Sequence, residues 1–200
     1  MADKPKIGSK IPPFYAQDQK GLFVRDDDFL GIPFVLYFYP KDETPGCTQE
    51  ACSFTDSINS FNNLQVLVIG VSPDSAESHE KFIKNRKLSL SLLSDEKKDM
   101  CSMFDVLDAR GNVIRTTFVI DAAGVICWME KPVQIEGHVD RVLKAVKQHC
   151  KHKVFDFDNF KRDYDRFLAG QIITEEDRAY LDKFLKEREE KKQKESKKKK

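Results

Sequence analysis

The sequence lacks a long uninterrupted hydrophobic run. None of its apolar stretches approaches the roughly 18 residues that a membrane-spanning helix requires. Residues 1–10 also lack the hydrophobic segment of a secretory signal. We therefore expect a protein that neither crosses a membrane nor enters the secretory pathway.

Cysteine is scarce as well. The 200 residues include five cysteines, an odd number that is too small for a disulfide framework. Without such a framework we expect a cytoplasmic protein. In that reducing compartment a disulfide is more often catalytic than structural. The cluster His149-Cys150-Lys151-His152 lacks a fourth ligand, so we expect no metal site there.

The chain has no large excess of either charge. Residues 1–150 carry 18 Lys and Arg against 21 Asp and Glu, whereas residues 151–200 carry 16 against 12. A near-neutral body with a basic tail is not typical of a nucleic-acid-binding core. We expect a solvated tail, with contact between its lysines and nucleic acid or an acidic surface as the alternative.

The pattern that is present alternates buried strands with helices. Six consecutive apolar or aromatic residues at 34–39 indicate a strand that is buried on both faces. Further strands are predicted at 64–71, 117–120 and 125–129, after an extended, turn-rich segment at 1–33. Helices are predicted at 48–61, 75–87, 96–104 and 137–149. This alternation predicts an α/β layered sheet.

After residue 150 the pattern changes. Two amphipathic helices are predicted, one at 158–169 and one that begins after Thr174, and from Glu187 onward every residue is charged or polar. We therefore predict a domain at 1–150, a helical extension at 151–190 and a disordered lysine-rich tail at 191–200.

The chemistry is expected in the segment at 40–52, between the first buried strand and the first helix. Pro45 and Gly46 are unfavourable inside a helix, so we expect the helix to begin near Cys47. A thiol there faces free backbone N–H groups and the positive end of the helix dipole. Both favour the thiolate, which is the nucleophile; the alternative is a buried, inert cysteine.

The segment at 37–52 resembles the active-site loop of peroxiredoxins. It contains their Pro-x-x-x-Thr-x-x-Cys motif as Pro40, Thr44 and Cys47. The sequence Thr-Pro-Gly-Cys-Thr, followed by Cys52, is similar to that of the bacterioferritin-comigratory, or Q-type, subfamily. The likeness continues at 92–95 and 115–121 and covers roughly residues 5–150. It implies a thioredoxin-like fold, with a central mixed sheet flanked by helices, and a thiol peroxidase that reduces hydrogen peroxide and organic hydroperoxides without haem or flavin.

The resemblance also implies a role for each residue of the motif. Cys47 attacks the peroxide and becomes a sulfenic acid. Thr44 places its hydroxyl beside the thiolate, Pro40 walls the pocket against water, and Arg115 polarises the breaking O–O bond. Each has a simpler alternative, since Thr44 is also a turn or N-cap residue, Pro40 also ends a strand and Arg115 also suits an exposed strand end.

Two further roles complete the implied site. Glu50, about one helical turn past Cys47, holds Arg115 in place, and the backbone N–H groups of Gly46 and Cys47 bind a peroxide oxygen. Glu50 is equally typical of a first-turn carboxylate that interacts with the helix dipole.

Cys52 is implied as the resolving thiol, which forms a disulfide with Cys47 that a thioredoxin-type protein reduces. On an intact helix their Cα atoms lie about 8.6 Å apart, whereas a disulfide needs less than about 7 Å. If Cys52 resolves the sulfenic acid, the first turns of the helix must therefore unwind in each cycle. The alternative is a small core residue that faces the sheet.

The other cysteines and two histidines receive structural interpretations. We expect Cys127, beside Trp128, in the core and Cys150 on a solvated surface. Cys101 is a second candidate for the resolving thiol. His79 and His138 are expected to be exposed on their helices.

Two rival functions stay open at this point. One is a protein disulfide oxidoreductase, although that chemistry favours Cys-x-x-Cys and here four residues separate the cysteines. The other is a redox-regulated binding or chaperone module that uses the basic tail. A monomer is favoured by the subfamily resemblance, with self-association through the extension as the alternative.

Overall fold

The structure of the protein is a computed structural model that describes residues 4–29 and 31–150. The predicted extension at 151–190 and tail at 191–200 lie outside the described residues. Within the described ranges, no helix is both long and apolar enough to cross a membrane.

Seven strands and five α-helices make up the described fold. The strands are β1 (Tyr15–Asp18), β2 (Phe23–Arg25), β3 (Phe34–Phe38), β4 (Leu67–Ser72), β5 (Ser91–Ser94), β6 (Thr116–Ile120) and β7 (Ile126–Glu130). The helices are α1 (Pro45–Asp56), α2 (Ile58–Asn63), α3 (Ala76–Arg86), α4 (Asp99–Met103) and α5 (His138–His149), and a 3-10 turn spans Asp26–Phe29.

The strands form one mixed sheet in the order β2-β1-β5-β4-β3-β6-β7. The pairs β3–β4 and β4–β5 are parallel. On the side away from β4, β3 pairs antiparallel with β6. Every residue of β3 is buried, as the continuous apolar run at 34–39 predicts for a central strand. The predicted α/β layered sheet is confirmed.

Alternate residues of β3 point into two separate hydrophobic cores. Leu36 belongs to the core that includes Cys101 of α4, whereas Val35 belongs to the core on the opposite face. This second core also contains Phe54 of α1 and Val142 of α5. The helix that follows β3 and the helix that ends the domain therefore pack on the same face of the sheet.

Several boundaries differ from the sequence prediction. The helix predicted at 48–61 is two helices, since α1 ends at Asp56 and α2 begins at Ile58. The start near Cys47 is wrong by two residues, because Pro45 occupies the first helical position, where a missing N–H costs no hydrogen bond. The segment at 1–33 contains the hairpin of β1 and β2.

Candidate active site

Cys47 is the third residue of α1, close to where the chain leaves the central strand β3. It is 1% exposed and its thiol is free. Thr48 N–H donates to the Thr44 carbonyl at 2.8 Å and closes the first turn of the helix. The N–H groups of Gly46 and Cys47 precede that bond and have no intrahelical acceptor, as in any first turn. Their dipoles favour a thiolate at Cys47.

Arg115 reaches Cys47 because β6 lies beside β3. The antiparallel register places Thr116 opposite Phe38, so the residue before β6 lies at the edge of the sheet from which α1 begins. Arg115 Nη2 donates a hydrogen bond to Cys47 Sγ at 3.1 Å. A fixed cation in contact with the sulfur stabilises the thiolate.

Glu50, about one turn beyond Cys47, binds the other side of the guanidinium. Its carboxylate is fully buried and accepts a hydrogen bond from Arg115 Nη1. Burial lowers the pKa of Arg115, but the charge of Glu50 and the bond to Cys47 raise that pKa by more. A protonated guanidinium is therefore held between the carboxylate and the sulfur.

Close packing explains why residue 46 is a glycine. A Cβ atom there would lie 3.0 Å from Ile135 Cδ1 and 3.6 Å from Arg115 Nη2. The loop that carries Ile135, between β7 and α5, covers the start of α1. Sequence reasoning missed Ile135, because nothing in the sequence near residue 135 indicates which part of the fold this loop contacts.

The positions of Thr44 and Pro40 support their predicted catalytic roles less directly than the position of Arg115 supports its own. The Thr44 hydroxyl donates to the Lys41 carbonyl at 3.1 Å, so its described hydrogen bond goes to the loop rather than to Cys47. Thr44 is also the N-cap residue of α1 by position. Pro40 is exposed and follows the end of β3. The catalytic roles of these two residues stay predictions.

Cys52 lies on the same unbroken helix as Cys47. It is half-buried, its thiol is free, and it packs against the core that contains Cys47. The helical geometry that keeps the two cysteines from bonding is therefore present in this structure. The resolving role of Cys52 stays a prediction.

The expectation that His79 and His138 are exposed is wrong. His79 is 0% exposed and His138 is 1% exposed. Each shares a helix face with a core residue, Phe82 three positions after His79 and Val142 four positions after His138. That spacing is the signal in the sequence that identifies both histidines as buried.

His79 belongs to a buried network around Asp42, in the loop that precedes α1. The Asp42 carboxylate lies 2.9 Å from His79 Nδ1 and accepts from Tyr39 Oη at 2.7 Å and Ser78 Oγ at 2.8 Å. Burial raises the pKa of Asp42, but the hydrogen bonds and charge of His79, with the two hydroxyls, lower it by more. The network attaches the loop at 40–44 to α3.

His138 contacts the active-site carboxylate from the first turn of α5. Its Nδ1 lies 3.2 Å from Glu50 Oε1, and its ring packs edge-on against Phe54. Neither ring nitrogen makes a hydrogen bond of good geometry among the described residues. Glu50 therefore lies between two basic groups, Arg115 and His138.

The remaining cysteines lie on other elements. Cys101 is fully buried on α4, and burial together with Asp95 raises the pKa of its thiol strongly. Cys127 and Cys150 are both half-buried and pack against the core that contains Cys47, so the expectation of a solvated surface for Cys150 is wrong. No group of three or more metal-binding side chains occurs within residues 4–29 and 31–150.

Comparison with known proteins gives one consistent result. The model of the AhpC/TSA family matches residues 7–129. Peroxiredoxin Bcp of Bacillus subtilis is 40% identical over 149 residues, which are 71% of this chain and 95% of that protein. The chloroplastic peroxiredoxin Q of Sedum lineare is 43% identical over 143 residues, which are 70% of this chain and 77% of that protein.

Solved structures agree. A structure of peroxiredoxin Q from Xanthomonas campestris superimposes with a TM-score of 0.67 at 32% identity and covers 69% of this chain and 92% of its own. BcpB from Mycobacterium tuberculosis gives a TM-score of 0.68 at 33% identity and covers 72% of this chain and 97% of its own. The predicted thioredoxin-like fold is confirmed. The chain belongs to the AhpC/TSA family and is a thiol-dependent peroxidase of the Bcp or peroxiredoxin Q type.

Proposed function

We propose that Cys47 is the peroxidatic cysteine and that it reduces hydrogen peroxide and organic hydroperoxides. The observation that carries the proposal is the 3.1 Å contact between Cys47 Sγ and Arg115 Nη2 in the first turn of α1. The likeness to the Xanthomonas campestris bacterioferritin comigratory protein supports organic substrates, since one of its structures concerns alkyl peroxide reduction.

In the first step the Cys47 thiolate attacks the terminal peroxide oxygen. An S–O bond forms as the O–O bond breaks, and the departing oxygen takes a proton and leaves as water or an alcohol. Negative charge develops on the departing oxygen. Arg115 already donates to Cys47 Sγ in this structure, and a donor that is placed near developing charge before the reaction lowers such a barrier.

The supporting residues fix this geometry. Glu50 keeps the guanidinium in place by binding Nη1, so Nη2 stays on the sulfur. Gly46 admits the close approach of Ile135. Thr44 lies at the N-cap and Pro40 at the exposed start of the loop, where their proposed parts are to place a hydroxyl near the peroxide and to border the pocket.

In the second step Cys52 resolves the sulfenic acid. Its sulfur attacks the Cys47 sulfur, an S–S bond forms and water leaves. Because α1 is continuous through both residues, its first turns must unwind for this step. The family and the intramolecular disulfide favour a thioredoxin-type protein as the reductant that restores both thiols.

Intact-mass measurement after one equivalent of hydrogen peroxide tests this cycle. We expect the wild-type protein to lose two hydrogens, with a peptide map that joins Cys47 to Cys52. The Cys52→Ser variant should instead gain oxygen on Cys47, because no partner condenses with the sulfenic acid. Oxidation that leaves Cys47 unmodified, or a bonded pair on an unbroken α1, contradicts the proposal.

A further inference from the structure

His138, the first residue of α5, packs against the turn of α1 that follows Cys47. It is 1% exposed, and Phe54, which it contacts, is fully buried. The two rings meet edge to face, with their centres 5.4 Å apart and their planes at 83°. Because Glu50 and Phe54 are four positions apart, they lie on one face of α1, and the imidazole contacts both.

The polar contact of the imidazole is with the active-site carboxylate. His138 Nδ1 lies 3.2 Å from Glu50 Oε1, a close polar contact rather than an aligned hydrogen bond. Both atoms are buried, and neither has another hydrogen-bond partner in the part of the chain that the structure describes. Since a buried polar atom without a partner is costly, the contact between these two atoms is the one that offsets the burial of both.

His79, the other buried histidine, has partners on both sides of its ring. Its Nδ1 lies 2.9 Å from the Asp42 carboxylate, and its Nε2 lies 3.2 Å from the Leu93 carbonyl. The imidazole of His138 has no such backbone partner within residues 4–29 and 31–150, and its Nδ1 faces Glu50. The polar contact of His138 is therefore directed at the active site rather than at the surrounding backbone.

The turn that leads into α5 fixes the position of His138. Gly137, the N-cap residue, has a φ of 65°, a left-handed conformation that favours glycine. Arg141 donates to the Glu130 carboxylate of β7 at 2.7 and 2.9 Å and to the Glu136 carbonyl at 2.7 Å. The start of α5 is therefore attached to β7 independently of Glu50, and His138 meets the carboxylate from a fixed position.

Glu50 uses its two oxygen atoms for different contacts. Oε1 lies beside His138, whereas Oε2 accepts a hydrogen bond from Arg115 Nη1. The last torsion of a glutamate side chain is broad, so the carboxylate has little orientation of its own. The contact at Oε1 therefore limits rotation of the carboxylate, and with it the direction from which Oε2 binds the guanidinium.

We propose that His138 is a positioning residue for the peroxide reaction, which acts on Cys47 through Glu50 and Arg115. Its contact with Oε1 fixes the carboxylate, and the carboxylate fixes Arg115 Nη1. Arg115 Nη2 then stays 3.1 Å from Cys47 Sγ. This role rests on the proposed function of Cys47, to which it adds a residue from a different helix.

His138→Phe removes both ring nitrogens and keeps an aromatic ring beside Phe54. We expect the second-order rate constant of Cys47 oxidation by hydrogen peroxide, measured by stopped flow, to fall about tenfold, because a small displacement of a catalytic group is enough for such a loss. Circular dichroism establishes whether the variant folds. If it does not, His138→Leu, which also lacks a polar side-chain atom, takes its place with the same expectation.

His138→Asn separates the polar contact from the packing of the ring. The asparagine amide can place a nitrogen on Cγ, where histidine has Nδ1, so a donor to Glu50 Oε1 is kept. The ring and its contact with Phe54 are lost, so this variant should be the less stable of the two in urea. We nevertheless expect its rate constant to lie nearer to the wild type than that of His138→Phe. A histidine that only fills space would give the opposite order of rates.

A double-mutant cycle tests whether the effect of His138 passes through Glu50. Glu50→Met removes both carboxylate oxygens and keeps an unbranched, adaptable side chain. In that background, adding His138→Phe should not lower the rate constant further, since the carboxylate that transmits the effect is absent. Independent roles would instead give the same loss in both backgrounds.

Val142→Ala is the matched control for the packing of α5. Val142 is buried in the same core as Phe54, so its truncation lowers the stability without removing a polar contact of Glu50. We expect its rate constant to stay at the wild-type level while urea unfolding shows the lost stability. His149→Gln, at an exposed position of the same helix, controls for the loss of a histidine.

Three results would overturn the role of His138. The first is a wild-type rate constant in the folded His138→Phe or His138→Leu variant, and the second is a His138→Asn variant that is no faster than either. The third is an undiminished loss from His138→Phe in the Glu50→Met background. If Cys47 were not the reacting thiol, Cys47→Ser would keep the reaction with peroxide, so the two failures are distinguishable.

Discussion

At the scale of single residues, the proposed reactivity of Cys47 depends on the groups around its sulfur atom. Here the first turn of α1 and the guanidinium of Arg115 both act on the buried sulfur. Both interactions favour the thiolate, and in the proposed reaction both lie near the charge that develops during peroxide cleavage.

Arg115→Lys tests whether the shape of the cation matters as well as its charge. A lysine keeps the charge but cannot present two fixed donors to Glu50 and Cys47 at once. We expect the second-order rate constant with hydrogen peroxide to fall by about 10²-fold, measured by stopped flow. The matched control is Arg110→Lys at an exposed position. A rate constant like that of the control would contradict the assigned role.

The sequence predicts the proposed reacting residues better than their surroundings. The family resemblance points to Cys47, Glu50 and Arg115, and in the structure Arg115 contacts both of the others. His138 was wrongly expected to be exposed and Ile135 was not identified, because their contacts with the site depend on where the loop before α5 folds back. Such contacts come from tertiary packing, which carries no signal in a local sequence motif.

At the scale of elements, the loop that leads into α1 is held by its network with α3. Asp42 accepts hydrogen bonds from Tyr39 and Ser78 and lies beside His79 in a buried site. Its pKa in the folded protein lies below the ordinary value, since these bonds outweigh the effect of burial. The loop therefore has a fixed position before peroxide binds.

This network predicts a pH dependence of stability. A carboxyl with a depressed folded pKa contributes stability that is present above its unfolded pKa of about 3.9. That contribution is lost as the pH falls through the folded value. We expect Asp42→Asn to reduce the free energy of unfolding by about 1–3 kcal/mol at pH 7, measured by urea denaturation.

The same variant should differ less from the wild type as the pH falls below 4. The exposed Asp27→Asn serves as the control and should follow the wild type throughout. A difference between Asp42→Asn and the wild type that stays constant from pH 7 to pH 3 would contradict the assigned interaction.

Long apolar patterns predicted their elements well, whereas a short strand inside the sheet was missed. β3 and α5 appear close to their predicted positions because each has a continuous or periodic apolar pattern. β5 was missed, since four residues carry little periodic signal and its identity depends on pairing with β4. The break at Ser57 between α1 and α2 has no Gly or Pro to mark it.

At the scale of the whole molecule, the likeness to known proteins covers most of the chain but not all of it. The family model ends at residue 129, and the Bacillus subtilis relative aligns over 149 residues. All residues assigned to the peroxidase cycle lie between 40 and 115. We therefore predict that catalysis does not require the residues after the predicted division at residue 150.

Truncation after residue 150 tests that division. We expect the shortened protein to retain the wild-type rate constant with hydrogen peroxide, because the described contacts of Cys47, Glu50 and Arg115 involve residues before 150. Light scattering of both proteins would show whether residues 151–200 change the oligomeric state. A shortened protein that folds but loses peroxidase activity would place part of the site in the extension.

The central claim is that turnover depends on the sulfur of Cys47. The most direct measurement is steady-state consumption of hydrogen peroxide with a thioredoxin-type reductant, in the wild type and in Cys47→Ser. We predict that the variant falls to the uncatalysed background while its fold, followed by circular dichroism, stays intact. Sustained turnover by Cys47→Ser at the wild-type rate would contradict the account.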